Sequence, residues 1–213
     1  MVLMIPLLFD LSGRKVLIFG GGRVGERKAR LFSRYGDVEV VSRGFTPYLE
    51  EMADRGEIRL RRADLADDTI DLHRLMRDAF IVIPATDDET INSRIIEVAE
   101  RSGVLVNRTD DIPGDVIVPS IIKRGDITVS ISTGGISPAM SKLLRERLEN
   151  EITELDAKMV RLQQRLRGIL KKSIPDQRER ESILWRVLRD REIWDLLSED
   201  EERALKLALE KIR

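Results

Sequence analysis

The segment KVLIFGGGRVGERKA places Gly20, Gly22 and Gly25 in G-x-G-x-x-G spacing between an apolar run and a helical pattern. A bend of this kind suits the pyrophosphate of a dinucleotide. Gly20 makes the tight turn, Gly22 lets phosphate reach the backbone, and Gly25 lets the following helix pack on the strand. The amides of Arg23 and Val24 open that helix toward phosphate. Where an acidic side chain usually holds the ribose, the chain reads Val41-Ser42-Arg43-Gly44. Ser42 suits a ribose hydroxyl and Arg43 a 2'-phosphate, so residue types alone leave NAD and NADP both open.

Other candidate groups gather at strand ends. Thr86 and Asp87 close a later apolar run and are expected on the nicotinamide side, although they equally suit capping of the helix that follows. Asn107-Arg108-Thr109-Asp110-Asp111 follows the next run at the same edge; a carboxylate there can serve as a base, and a plain turn is the other reading. Ser132-Thr133-Gly134-Gly135 leads into Ser137-Pro138, a helix N-cap with proline at the first position. Its amides and hydroxyls suit a carboxylate, and Lys142, Arg145 and Lys123 can surround the same point. His73 is the single histidine and falls in a weakly helical segment away from this edge. With no cysteine, a His/Cys metal site is excluded and no metal ligand is assigned.

These groups need elements to hold them. Apolar, β-branched runs at Lys15 to Gly20, Val38 to Ser42, Ile58 to Arg62, Phe80 to Pro84 and Val104 to Asn107 alternate with helical patterns, which predicts an α/β fold: a Rossmann-type, doubly wound parallel sheet over residues 1–115. After TDDIPGD, the runs VIVPSII and DITVSIS predict two strands of a small α+β domain over 116–150, and 151–213 reads as a helical domain. Leu148, Ile152, Leu155, Met159, Leu162, Leu166 and Ile169 form an apolar stripe that packs either on later helices of the same chain or on a second copy. The shortness of the two strands favours a homodimer.

The 37 basic and 38 acidic residues leave a net charge of −1, which gives no reason to expect nucleic acid or an anionic membrane as partner. The apolar start MVLMIPLLFDL lacks a basic segment and breaks at Pro6, and no later run reaches the length of a membrane span. Together with the missing cysteines, this leads us to expect a cytoplasmic protein.

PLLFDLSGRKVLIFGGGRVGERKARLF, PATDDETINSRI, VNRTDD and VPSIIKRGDITVSISTGGISPAMSKLLRERLE, taken in order, resemble the precorrin-2 dehydrogenase family, the amino-terminal module of siroheme synthases. The resemblance implies NAD-dependent oxidation of the tetrapyrrole precorrin-2 to sirohydrochlorin, followed in some members by Fe2+ insertion. It also implies a homodimer interlocked through 116–150. Asp110, the aspartate of the N-x-x-D element, is the implied functional residue, with Asp111 beside it. Asn107, Ser132, Thr133, Gly134, Gly135 and Lys142 are assigned to the carboxylate-rich substrate. Two other functions fit the same fold: a ligand-sensing Rossmann regulatory module without catalysis, and a dehydrogenase of another substrate. Sensing modules with a G-x-G-R-V-G opening carry an acidic residue after the second strand and lack the STGGISPA helix entry.

Overall fold

Val16, Leu17, Ile18 and Phe19 are all fully buried, so the first strand, β1 (Lys15–Phe19), is covered on both faces, as a parallel sheet requires. The computed structural model describes residues 4–67, 69–109 and 114–212. It divides into two compact units, one up to Val118 and one from Pro119 onward.

In the first unit β1 is flanked by β2 (Asp37–Ser42) and β4 (Ala79–Pro84), with β3 (Arg59–Arg62) and β5 (Leu105–Val106) outside them. All pairings are parallel and the order is β3-β2-β1-β4-β5. The chain reverses direction of winding between β1 and β4, the place where open α/β sheets bind ligands. Alternation sets the layers. Val16 and Ile18 join Val38, Val40 and Ile83 beneath α1 (Arg23–Phe32) and α2 (Pro47–Asp54), where Ala29, Phe32, Leu49 and Met52 meet them. Leu17 and Phe19 face the other way, toward Leu72, Leu75 and Met76 of α3 (Leu72–Met76) and Ile95, Ile96 and Ala99 of α4 (Glu89–Arg101). This parallel sheet with helices on both faces is the predicted Rossmann-type fold.

The second unit opens with a hairpin of β6 (Ser120–Arg124) and β7 (Ile127–Ile131), turned at Gly125-Asp126 with Gly125 at φ +52°. Val116 to Pro119, predicted as part of the same strand, precede β6. The remainder is helical: α5 (Pro138–Glu149), α6 (Glu154–Ser173), α7 (Gln177–Arg189), α8 (Arg191–Glu199) and α9 (Glu201–Ile212). The apolar stripe read as one seam from Leu148 to Ile169 is interrupted, because the chain leaves the helix after Glu149 and restarts at Glu154. Asp156 Oδ2 accepts from both the amide (2.7 Å) and the hydroxyl (2.8 Å) of Thr153, which fixes the restart. Met159, Leu162 and Leu166 are buried with Val187, Ile193, Leu197, Ala204 and Ala208. Helices of the same chain therefore cover the middle of the stripe, while Leu148 and Ile169 at its ends stay exposed.

One carboxylate lies inside the sheet. Glu39 on β2 is buried and pairs with Lys15 of β1 (2.9 Å) and Arg61 of β3 (2.7 Å). Burial opposes its ionisation, but the hydrogen bond and charge of Lys15 and the charge of Arg61 outweigh that, so its carboxyl sits below the usual range. Its stabilising effect is thus fully present above the ordinary glutamate pKa of about 4.3 and is lost as pH falls through the lower folded-state value. Glu39→Gln is expected to cost about 1–3 kcal/mol at neutral pH. Urea unfolding at a series of pH values should show the gap between the two proteins closing as the solution is acidified.

Candidate active site

Strand β1 ends against its neighbours so tightly that only glycine fits beyond it. Gly20 turns at φ +118°, its amide donates to Val41 O (2.9 Å), and a Cβ on it would lie 2.3 Å from Ala85 O. A Cβ on Gly25, one turn into α1, would lie 1.9 Å from Gly20 O. Gly21, which the G-x-G-x-x-G spacing leaves unassigned, is equally confined, with Gly44 O 2.1 Å from the place of its Cβ. Gly22 differs. Nothing lies within 4 Å of where its Cβ would be, and as the N-cap of α1 it supplies no side-chain acceptor. The first intrahelical bond is Glu26 N to Gly22 O, so the amides of Arg23 and Val24 stand ahead of the helical ladder.

Above this bend is a cleft of about 410 Å3. Every residue assigned to the cofactor from the sequence lines it except Gly25, which lies beneath: Gly20, Gly22, Arg23, Val24, Ser42, Arg43, Gly44, Thr86 and Asp87. Sequence reasoning missed Asp64, Leu65, Ala66 and Ile91 on the same walls. Residues 64–66 arrive there because β3 pairs with β2 in the register Ser42↔Arg62, which brings the chain after β3 beside Arg43. Thr86 is tied into the start of α4, its hydroxyl 2.8 Å from Asn92 Oδ1, while Asp88 caps the helix by accepting from Thr90 N and Ile91 N. His73 is exposed on α3, 3.1 Å from Ser102 Oγ, and is not among the cleft residues.

At the end of β5 the chain is held on several sides. Asn107 is buried, Nδ2 donating to Val116 O and Oδ1 accepting from Lys28 Nζ, each at 2.7 Å. These bonds use one donor and one acceptor position of the Asn107 amide and fix its orientation. Burial, with Arg27 nearby, pulls the Lys28 ammonium below the usual lysine range. Thr109 Oγ1 donates to Pro84 O (2.7 Å), and Asp115 accepts from Val106 N (3.0 Å). Asp110 and Asp111 lie outside the described residues.

Residues 7–120 match a family model described as "Putative NAD(P)-binding", and residues 124–151 match one described as "Sirohaem biosynthesis protein central". The chain is 46% identical over 206 residues to a precorrin-2 dehydrogenase of Methanosarcina barkeri, covering 96% of this chain and 91% of that protein. The chain belongs to the precorrin-2 dehydrogenase and siroheme synthase family.

A siroheme synthase of Nitrosococcus oceani is 33% identical over 97% of the chain, which spans 44% of that longer protein. A solved precorrin-2 dehydrogenase structure aligns over 97% of this chain and all of its own, at 22% identity and a TM-score of 0.77, and so shares the fold. The Ser132 to Pro138 segment, within the part matched by the second family model, lies in the other unit. There Gly134 (φ +64°) and Gly135 (φ +83°) make a left-handed bend, Gly134 N donates to Ser132 Oγ (3.1 Å), and Thr133 Oγ1 accepts from Ser137 N (3.0 Å). Ser137 caps α5 by accepting from Met140 N (3.2 Å), and Lys142 is exposed, 3.9 Å from Glu146. Arg145 pairs with Glu149 at 2.7 Å. Among the described residues no three potential ligands gather for a metal, and no helix is long and apolar enough to cross a membrane.

The contrast between glycines is testable. Gly22→Ala is expected to cost under about 1 kcal/mol, as an N-cap change in open space, yet to weaken NADH binding roughly tenfold or more by occupying the phosphate approach. Gly25→Ala should instead lose about 1–3 kcal/mol or more of stability by forcing α1 off β1. Thermal melting and nicotinamide fluorescence titration separate the two effects.

Proposed function

We propose that the chain is an NAD-dependent precorrin-2 dehydrogenase that forms sirohydrochlorin on the route to siroheme. One observation carries the reading: the cleft over the glycine bend, closed beneath by Gly20, Gly21 and Gly25 and open at Gly22, ahead of two helix amides that no side chain caps. Those features fit a dinucleotide pyrophosphate, since it needs close backbone approach and a positive helix end. The identity to the Methanosarcina barkeri enzyme supports the substrate.

In this reading Gly22, Arg23 and Val24 hold the pyrophosphate, Ser42, Arg43 and Gly44 meet the adenosine ribose, and Thr86 and Asp87 border the nicotinamide. When bound, NAD supplies a hydride acceptor at the nicotinamide ring and leaves as NADH. Oxidation of the macrocycle also releases a proton, and Asp110 is the base that takes it. Asp111 is its alternate. Support for Asp110 is its place in the family motif and the anchoring of Asn107 and Thr109 just before it. Ser132, Thr133, Gly134, Gly135 and Lys142 take the carboxylates of precorrin-2, with Asn107 supporting the strand end. Residues 116–150 act as a dimerisation domain, and 151–213 as a helical domain of a cytoplasmic homodimer. Insertion of Fe2+ as a second substrate, where it occurs, draws on the same Asp110.

Purified protein given precorrin-2 and NAD is expected to produce NADH and the sirohydrochlorin spectrum; no turnover with either NAD or NADP would remove the proposal. Asp110→Ala should lower turnover by about 10²- to 10⁴-fold while leaving NADH affinity within about twofold. An active variant moves the base to Asp111 or elsewhere. Sedimentation equilibrium should give twice the chain mass.

A further inference from the structure

Strand β2 ends in Ser42-Arg43-Gly44, with no carboxylate for the ribose. A carboxylate is nevertheless present at that end of the cleft. Asp64, the second residue after β3, lies on the cleft wall with its Oδ1 3.8 Å from Arg43 Nε. The same oxygen accepts from Ala66 N (3.1 Å), so a local turn fixes the side chain. The pairing of Ala63 N with the carbonyl of Ser42, the last residue of β2 (3.0 Å), sets this place, because it carries the β2–β3 ladder one residue past the end of β3. The neighbouring Arg62 is engaged elsewhere: its guanidinium donates to Arg43 O (3.2 Å) and Glu50 (3.1 Å) and lies over the Phe45 ring.

Resting on the dinucleotide reading above, we infer that Asp64 selects NAD over NADP in this cleft. An acceptor near the ribose takes a hydrogen bond from a 2'-hydroxyl and repels a 2'-phosphate, whereas an arginine alone attracts the phosphate through its planar fork of donors. Arg43 by itself favours NADP. With Asp64 beside it, its charge is compensated and its guanidinium already has an anionic partner. The specificity residue of this domain thus comes from the end of the third strand. The Arg43–Asp64 pair is exposed on both sides, so its loss barely touches folding.

The test is titration of the full chain with NADH and with NADPH, read by nicotinamide fluorescence, for the wild type, Asp64→Asn, Asp64→Ser and Asp64→Asn combined with Arg43→Ala. Asn and Ser both retain an acceptor for Ala66 N without the charge. The wild type should bind NADH about tenfold or more tighter than NADPH; both single variants should narrow that ratio about tenfold, chiefly by gaining NADPH affinity, and Arg43→Ala should remove the gain. An unchanged ratio in both single variants, or a wild type that prefers NADPH, overturns the role of Asp64 while leaving the cofactor site standing. A wild type that binds neither dinucleotide overturns both.

Discussion

The contact between Gly25 and the Gly20 carbonyl governs the rest of the first unit. A strand and the helix after it normally keep side chains between them; here the backbone of α1 closes directly on the turn that ends β1. That closeness aims the first amides of the helix across the end of the sheet instead of beside it. Since β2 and β4 flank β1, whatever those amides attract must also meet the residues that leave both strands. The residues after β2 and after β4 become binding walls because the glycines allow no gap beneath them. Loss of the close packing moves the helix end and both walls together.

A second constraint acts on the chain beyond β5. That strand has two residues, too few to hold a long connection by ladder bonds alone. Side chains reinforce the backbone bonds from Asn107 N to Val82 O and from Val116 N to Val106 O: the Asn107 amide spans from Lys28 to Val116, and Asp115 returns to Val106. Gly114 belongs to the same closure, because a Cβ on it would lie 2.5 Å from Val106 O. Both ends of the connection that includes Asp110 are therefore pinned to the sheet edge.

The glycine bend, the five strands and the first-unit helices were legible because each follows from neighbours in the sequence: apolar runs, their spacing and a known glycine pattern. Asp64 was not, since nothing near it indicates a site; only the β2–β3 register brings it beside Arg43. The interruption at 150–153 was also missed. Four non-helical residues leave a four-and-three apolar rhythm nearly in phase, so periodicity does not register the gap. The Thr153-x-x-Asp156 spacing, a helix-start signature, was the available signal. Asn107 reads from sequence as a polar residue at a strand end, and only burial shows both of its amide groups committed within the protein.

The 2.7 Å bond from Lys28 to Asn107 joins the middle of α1 to the exit of β5. A half-buried ammonium has few solvent partners to replace the amide oxygen, so sliding α1 along its axis must drag the β5 exit or leave both groups poorly solvated. A shift of the helix that opens over the glycine bend is thereby coupled, through one lysine, to the start of the connection that leaves the sheet at Asn107.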